Sequence, residues 1–168
     1  MNSVTIRPID LRQDSISEVT ELLHRAYKRL GDMGLRFWAT WQTDDITLER
    51  VQSGRCYVAI NERRVIGTIT YYYPIRHKGT PWYERPDVAA FGQFAVEPAL
   101  QQQGLGTRLI TTVEEAAKAD GAVEMALSTA EPAEHLIRYY ERRGYRYIET
   151  ADFSQPHYRS VIMSKTLR

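Results

Sequence analysis

The 168-residue chain has a single cysteine, Cys56. One thiol excludes an intramolecular disulfide and a cysteine metal cluster. Cys56 opens a predicted strand over 56–60, where its expected role is that of a small core residue. Long hydrophobic runs are missing too, and no stretch approaches the length that spans a bilayer. Charge of one sign is also scarce: 22 Lys and Arg stand against 21 Asp and Glu, a net charge of +1. No strong field therefore favours nucleic acid or an acidic membrane. The first residues carry Arg7, Asp10, Arg12 and Asp14 without an apolar centre, unlike a signal peptide. Internal repeats, low-complexity tracts and linkers are lacking. These absences lead to an expectation of one compact cytoplasmic domain over 1–168, with no nucleic-acid or membrane partner.

What is present alternates between strand and helix patterns. Val4 to Arg7 alternates up to Pro8, a short first strand. Ile16, Val19, Leu22, Leu23, Ala26 and Leu30 form a helical stripe that stops at Gly31. Residues 32–43 read as irregular and carry Phe37, Trp38 and Trp41. Asp44 and Asp45 open a second helix, acidic at its start as the dipole prefers, ending near Ser53-Gly54. Strands over 56–60 and 65–73 form a hairpin. A long excursion from Pro74 to Asp87 holds His77, Trp82, Tyr83 and Glu84. A strand over 88–96 follows, then a third helix ending at Asp120-Gly121 and a strand over 123–128. Pro132 starts a fourth helix that Gly144 ends. Strands over 145–148 and 158–167, joined across Pro156-His157, close the chain.

The segment from Val96 to Leu109 organises the rest. Pro98 cannot donate to a ladder, so the strand ends before it. Around Gly106 and beyond it, Leu105, Leu109 and Val113 form a core-facing helical stripe. A strand, a polar glycine turn and a helix start leave unpaired N–H groups beside the positive end of the helix dipole. That is an anion site, most naturally for phosphate or pyrophosphate. Leu109 stands where a dinucleotide fingerprint needs its third small residue, and no G-x-x-x-x-G-K-[ST] occurs.

V-x-P-x-x-Q-x-x-G-x-G, from Val96 to Gly106, closely resembles the acetyl-CoA-binding segment of the GNAT superfamily of N-acetyltransferases. That family carries [Q/R]-x-x-G-x-[G/A], matched by Gln101, Gly104 and Gly106. Ala133 to Tyr145 resembles the family's helix ending in L-Y-E-[K/R]-x-G-[F/Y]. The succession of elements matches nearly the whole family order. The resemblance implies an α/β (α+β) architecture, the GNAT acyl-CoA N-acyltransferase fold: a central mixed, mostly antiparallel seven-stranded sheet flanked by four helices.

It also implies an acetyl-CoA-dependent N-acetyltransferase that needs no metal. Strand 88–96 is expected to splay from strand 123–128, freeing the backbone of Phe94, Ala95 and Val96 for the pantetheine arm. Main-chain N–H groups of Gln102, Gln103, Gly104, Leu105, Gly106 and Thr107 are expected to hold the pyrophosphate. Gln101 either supports that loop or bonds the ligand, and Arg108 either reaches a phosphate or is solvated. Tyr140 matches the general acid; a phenol with a pKa near 10 is protonated at neutral pH and suited to donating. The family's asparagine seven residues earlier is replaced by Ala133. The acceptor walls implied are aromatic: Phe37, Trp38, Trp41, Tyr72, Trp82, Tyr83 and Tyr158, with Trp38, Trp41, Tyr83 and Glu84 the candidate acceptor residues. For the base, Gln93 is unsuitable, and Glu97, Glu84 and His157 stay open. The expected acceptor is a small amine or amino-acid-like metabolite, reached by direct transfer in a ternary complex. Rival readings are a protein acceptor, an acyl-CoA sensor and a nucleotide binder. A homodimer through an edge last strand is a further expectation.

Overall fold

The computed structural model describes residues 3–76, 79–153 and 158–168. Among these, the strands are β1 (Thr5–Pro8), β2 (Arg55–Asn61), β3 (Arg64–Tyr72), β4 (Val88–Val96), β5 (Glu124–Ala130), β6 (Arg146–Ala151) and β7 (Ser160–Thr166). The α-helices are α1 (Ile16–Asp32), α2 (Asp44–Gln52), α3 (Leu105–Ala119) and α4 (Glu134–Glu141). All the strands join one seven-stranded sheet in the order β1-β2-β3-β4-β5-β7-β6. Every pairing is antiparallel except that of β4 with β5. A parallel pair needs a crossover, and α3 supplies it.

The helices pack on both faces because each carries one apolar stripe. On one face Val19, Leu22 and Leu23 of α1 and Val51 of α2 meet Cys56 and Val58 of β2. On the other, Leu109 and Val113 of α3 and Tyr140 of α4 meet Ile69, Phe91 and Met125. Leu22, Leu23 and Leu109 are fully buried, each contributing about 1.5–3 kcal/mol of transfer free energy. This core holds β4 rigidly on its β3 side, where pairing continues to Val96.

The β5 side of β4 behaves differently. It pairs with β5 only over Val88, Ala89 and Ala90. From Phe91 onward the two strands diverge, as the resemblance implied. A β-bulge falls in the same stretch: the β3–β4 register shifts between Thr68 and Thr70, and Gln93 adopts a φ of 48°. Bulges bend and twist a strand, and this one sits where β4 leaves its neighbour.

Four details differ from the sequence reading. Gly31 does not stop α1, which runs to Asp32. The break comes at Gly34, whose φ of 82° turns the chain while its N–H donates to Gly31 O and Leu35 N–H to Leu30 O. Within 32–43, Trp38–Thr40 form one 3-10 turn. Pro132 precedes α4 rather than opening it, because Ala133 is the N-cap. Finally, β7 lies between β5 and β6, so the dimer surface expected on an edge last strand does not exist; the sheet edges are β1 and β6. The proposed joint at Pro156-His157 lies outside the described residues, as does His77. No helix among the described residues is long and apolar enough to cross a membrane.

Candidate active site

The polar turn after β4 presents its main chain outward. Gly104 is the N-cap of α3 at φ 87° and brings no capping side chain. Among the described residues, no backbone N–H from Gln102 through Thr107 finds an acceptor. Together with the helix dipole these donors form an anion cradle. Gly106 keeps the cradle open, since a Cβ there would lie 2.6 Å from Tyr139 Oη and 3.2 Å from Phe94 Cζ. Tyr139 is itself pinned by Arg143, whose guanidinium carbon lies 3.4 Å from the ring centroid.

From this cradle a groove of about 380 Å³ runs along the free side of β4. Phe94, Ala95, Val96, Gln101, Gln102, Gly104, Gly106 and Thr107 line it, with Tyr140 at its end. Gln103 and Leu105 are not in its wall; Leu105 is buried, its side chain in the core. Gln101 Nε2 donates to Val96 O at 3.2 Å, which ties the loop to the end of β4. Arg108 turns away, toward Val4 O. The groove's cations are instead Arg29, Arg142 and Arg143, which the sequence reading missed. Their spacing in a helical, charge-mixed pattern gave no signal distinguishing them from solvated arginines.

A second cavity, of about 660 Å³, also has Tyr140 in its wall. Tyr27, Phe94, Leu136 and Tyr140 line both. Tyr27 donates to Phe94 O at 2.7 Å, so one of the β4 carbonyls freed by the splay is already bonded. Burial pushes the Tyr27 phenol up to about 12. The Tyr140 side chain is 7% exposed, and its hydroxyl makes no hydrogen bond among the described residues. Burial first, and the neighbouring Tyr27 and Tyr139, hold its pKa well above 10.0. It therefore stays a proton donor across the physiological range.

The acceptor candidates are spread unevenly around this second cavity. Phe37, Trp38 and Tyr158 line it, and Phe37 packs between Tyr27 and Tyr158 at 5.5 and 5.1 Å. Trp41 stacks on Trp38 at 5.0 Å but is not in the wall. Tyr83 is buried and reaches the wall only through Ser128, its hydroxyl 2.6 Å from Ser128 Oγ. Glu84 is exposed on the excursion and outside the wall, and neither Tyr72 nor Trp82 lines the cavity. Glu97 is gripped by Arg25 through two hydrogen bonds of 3.1 and 2.6 Å and lines neither cavity. His157 lies outside the described residues. Among the described residues no Asp, Glu or His lines the second cavity, and no group of three or more His, Cys, Asp or Glu stands ready to hold a metal.

Residues 16–145 match the profile of the acetyltransferase (GNAT) family. The chain belongs to that family. S-(2-succino)cysteine N-acetyltransferase of Bacillus subtilis (strain 168) is 33% identical over 156 residues, covering 90% of each chain. S-alkylcysteine N-acetyltransferase of the same organism is 27% identical over 135 residues, covering 79% of this chain and 74% of that one. A GNAT family acetyltransferase from Elizabethkingia anophelis, solved with acetyl-CoA bound, shares the fold at 17% identity. Its TM-score is 0.71, over 99% of this GNAT chain and 100% of its own. The chain is thus an N-acetyltransferase with the seven-stranded GNAT sheet.

Proposed function

We propose that this enzyme moves an acetyl group from acetyl-CoA to the primary amine of a small, amino-acid-like acceptor by direct transfer. The observation that carries the reading is the position of Tyr140, in the wall shared by both cavities with an unpartnered hydroxyl. Acetyl-CoA supplies an activated acetyl group, held as a thioester. The N–H groups from Gln102 to Thr107 fit its pyrophosphate, with Arg29, Arg142 and Arg143 adding positive charge. The backbone groups left free on the β5 side of Phe94, Ala95 and Val96 align the arm along β4, with Phe94 O already taken by Tyr27 and Val96 O by Gln101. As the C–N bond forms and the C–S bond breaks, Tyr140 donates its phenolic proton to the departing sulfur, and the proton shed by the acylated nitrogen returns through solvent to the phenolate.

The second cavity receives the acceptor. With no carboxylate or imidazole in its described wall, the amine enters in its neutral form. A covalent acetyl-enzyme is disfavoured, because Cys56 is 3% exposed and burial raises its thiol pKa. The names of the two Bacillus subtilis relatives point to an S-substituted cysteine, acetylated on its α-amine. A cavity of about 660 Å³ walled by Phe37, Trp38 and Tyr158 suits such a molecule better than a protein chain.

The test is thiol release from acetyl-CoA over a panel of amines, amino acids and peptides, with Tyr140→Phe alongside. The reading expects a small-molecule hit that loses most of its kcat in the variant while CoA binding persists. Tight CoA binding with no turnover on any acceptor would favour an acyl-CoA sensor instead.

A further inference from the structure

Among the described residues, the one full charge in the acceptor cavity wall is the Arg50 guanidinium. Arg50 sits in the last turn of α2, and its Nη1 donates to Gln42 Oε1 at 2.9 Å. No carboxylate among the described residues lies within ion-pair distance of it. The segments outside the description contain no Asp or Glu. By contrast, Arg7, Arg25, Arg55 and Arg85 each hold a carboxylate. A half-buried cation facing a cavity without a counter-ion is costly unless an anion enters.

A hydrogen-bond relay gives a second, independent sign. Arginine has only donors, so Gln42 must turn its Oε1 toward Arg50. Its Nε2 then faces the other way and donates to Thr47 Oγ1 at 2.8 Å and Gln93 Oε1 at 2.7 Å. Gln93 must accordingly turn its own amide nitrogen away, and that nitrogen is buried without a partner. Gln93 is only 4% exposed, so an orphaned donor there needs an explanation. Thr129 Oγ1 on β5 is likewise buried and unpartnered. Gln93 and Thr129 both line the cavity that Arg50 faces.

We infer that Arg50, backed by the Gln93 amide, binds the carboxylate of an α-amino-acid acceptor. This rests on the N-acetyltransferase reading and deepens it, by naming the residues that recognise the carboxylate of its amino-acid-like acceptor. Position supports it: a Cβ at Gly92 would lie 3.7 Å from Arg50 Nη2. The guanidinium therefore lies against β4 just before the bulge, on the strand that guides the donor. A carboxylate held there leaves the amine, one carbon away, along β4 toward Tyr140. A simple alkylamine gains nothing from Arg50, and its ammonium form is repelled.

The experiment uses pairs of amino acids and their carboxamides, S-benzylcysteine and its amide among them, at a pH above both amine pKa values. For the wild type, Arg50→Met and Arg50→Lys, kcat/KM is measured by thiol release. Binding to the CoA-saturated protein is measured by calorimetry. The wild type should prefer acid to amide by about a hundredfold, as a charge-assisted carboxylate contact allows. Arg50→Met should erase the preference by lowering the acid alone, with KM for acetyl-CoA unchanged, and Arg50→Lys should restore part of it. A preference near one in the wild type, or one that survives Arg50→Met, overturns the inference while leaving the enzyme. Arg50-dependent binding of the acid without acetylation overturns the catalytic reading and keeps the carboxylate site. If no acid is either bound or acetylated, the inference is overturned. Should Arg50→Met fail to fold, the wild-type ratio and Arg50→Lys decide the matter.

Discussion

The two cavities that meet at Tyr140 are built in opposite ways. The proposed donor groove takes its anion cradle from one contiguous run, Gln102 to Thr107, and the groups that line it are main-chain N–H groups. The proposed acceptor cavity takes Tyr27, Phe37, Arg50, Gln93, Thr129 and Tyr158 from segments far apart in the chain, and presents mainly side chains. A main-chain site tolerates exchange of most side chains but not of its glycines. A side-chain site changes character with each residue. One groove suits a constant ligand and the other a specific one.

The largest effect expected is at the junction. Tyr140→Phe should lower kcat by about 10²- to 10⁴-fold, the range for a lost general acid. KM for both substrates should stay nearly unchanged, because the ring still fills its place between Phe91 and Tyr145. A pH profile sharpens this. With no base in the described wall, kcat/KM for the acceptor should climb about tenfold per pH unit below the amine's own pKa and then level. The Tyr140 pKa is raised, so its protonated, donating form persists past pH 10 and no alkaline fall should appear below that. An acidic limb at a carboxylate pKa would reveal a base.

Two smaller perturbations should separate the cavities. Gly106→Val should raise KM for acetyl-CoA about tenfold or more, since even a Cβ falls against Tyr139 and Phe94; KM for the acceptor should hardly move. Phe37→Ala should do the reverse, opening the acceptor wall between Tyr27 and Tyr158 and raising acceptor KM several-fold. If both variants shift both constants equally, the cavities are not independent. The smallest effect belongs to Glu97→Gln. It breaks the pair with Arg25, costs about 0–1 kcal/mol in a denaturant titration, and leaves kcat within about threefold.

The same contrast explains what the sequence showed in advance. The β4-turn-α3 unit was legible because its evidence is local: an apolar run to Val96, Pro98, then Gly104 and Gly106 ahead of the Leu105, Leu109, Val113 stripe. The limits of β4 agree with the structure to the residue, and α3 starts at Leu105, the first residue of that stripe. Arg50 was not legible. It reads as one more polar residue on a short helix, and only the tertiary packing of α2 beside β4 reveals that no carboxylate meets it. Gln93 was weighed solely as a base and set aside, because its donor role depends on a relay through Gln42, 51 positions away. Strand order was likewise invisible: β7 inserts between β5 and β6 through long-range pairing that no local pattern records.

In the proposed reaction, donor and acceptor occupy their two cavities together and react directly across Tyr140. Steady-state rates measured while both acetyl-CoA and the acceptor are varied test it most directly. The account predicts reciprocal plots that intersect to the left of the axis, the pattern of a ternary complex. Parallel lines, with an acetylated protein trapped when acetyl-CoA is supplied alone, would contradict it.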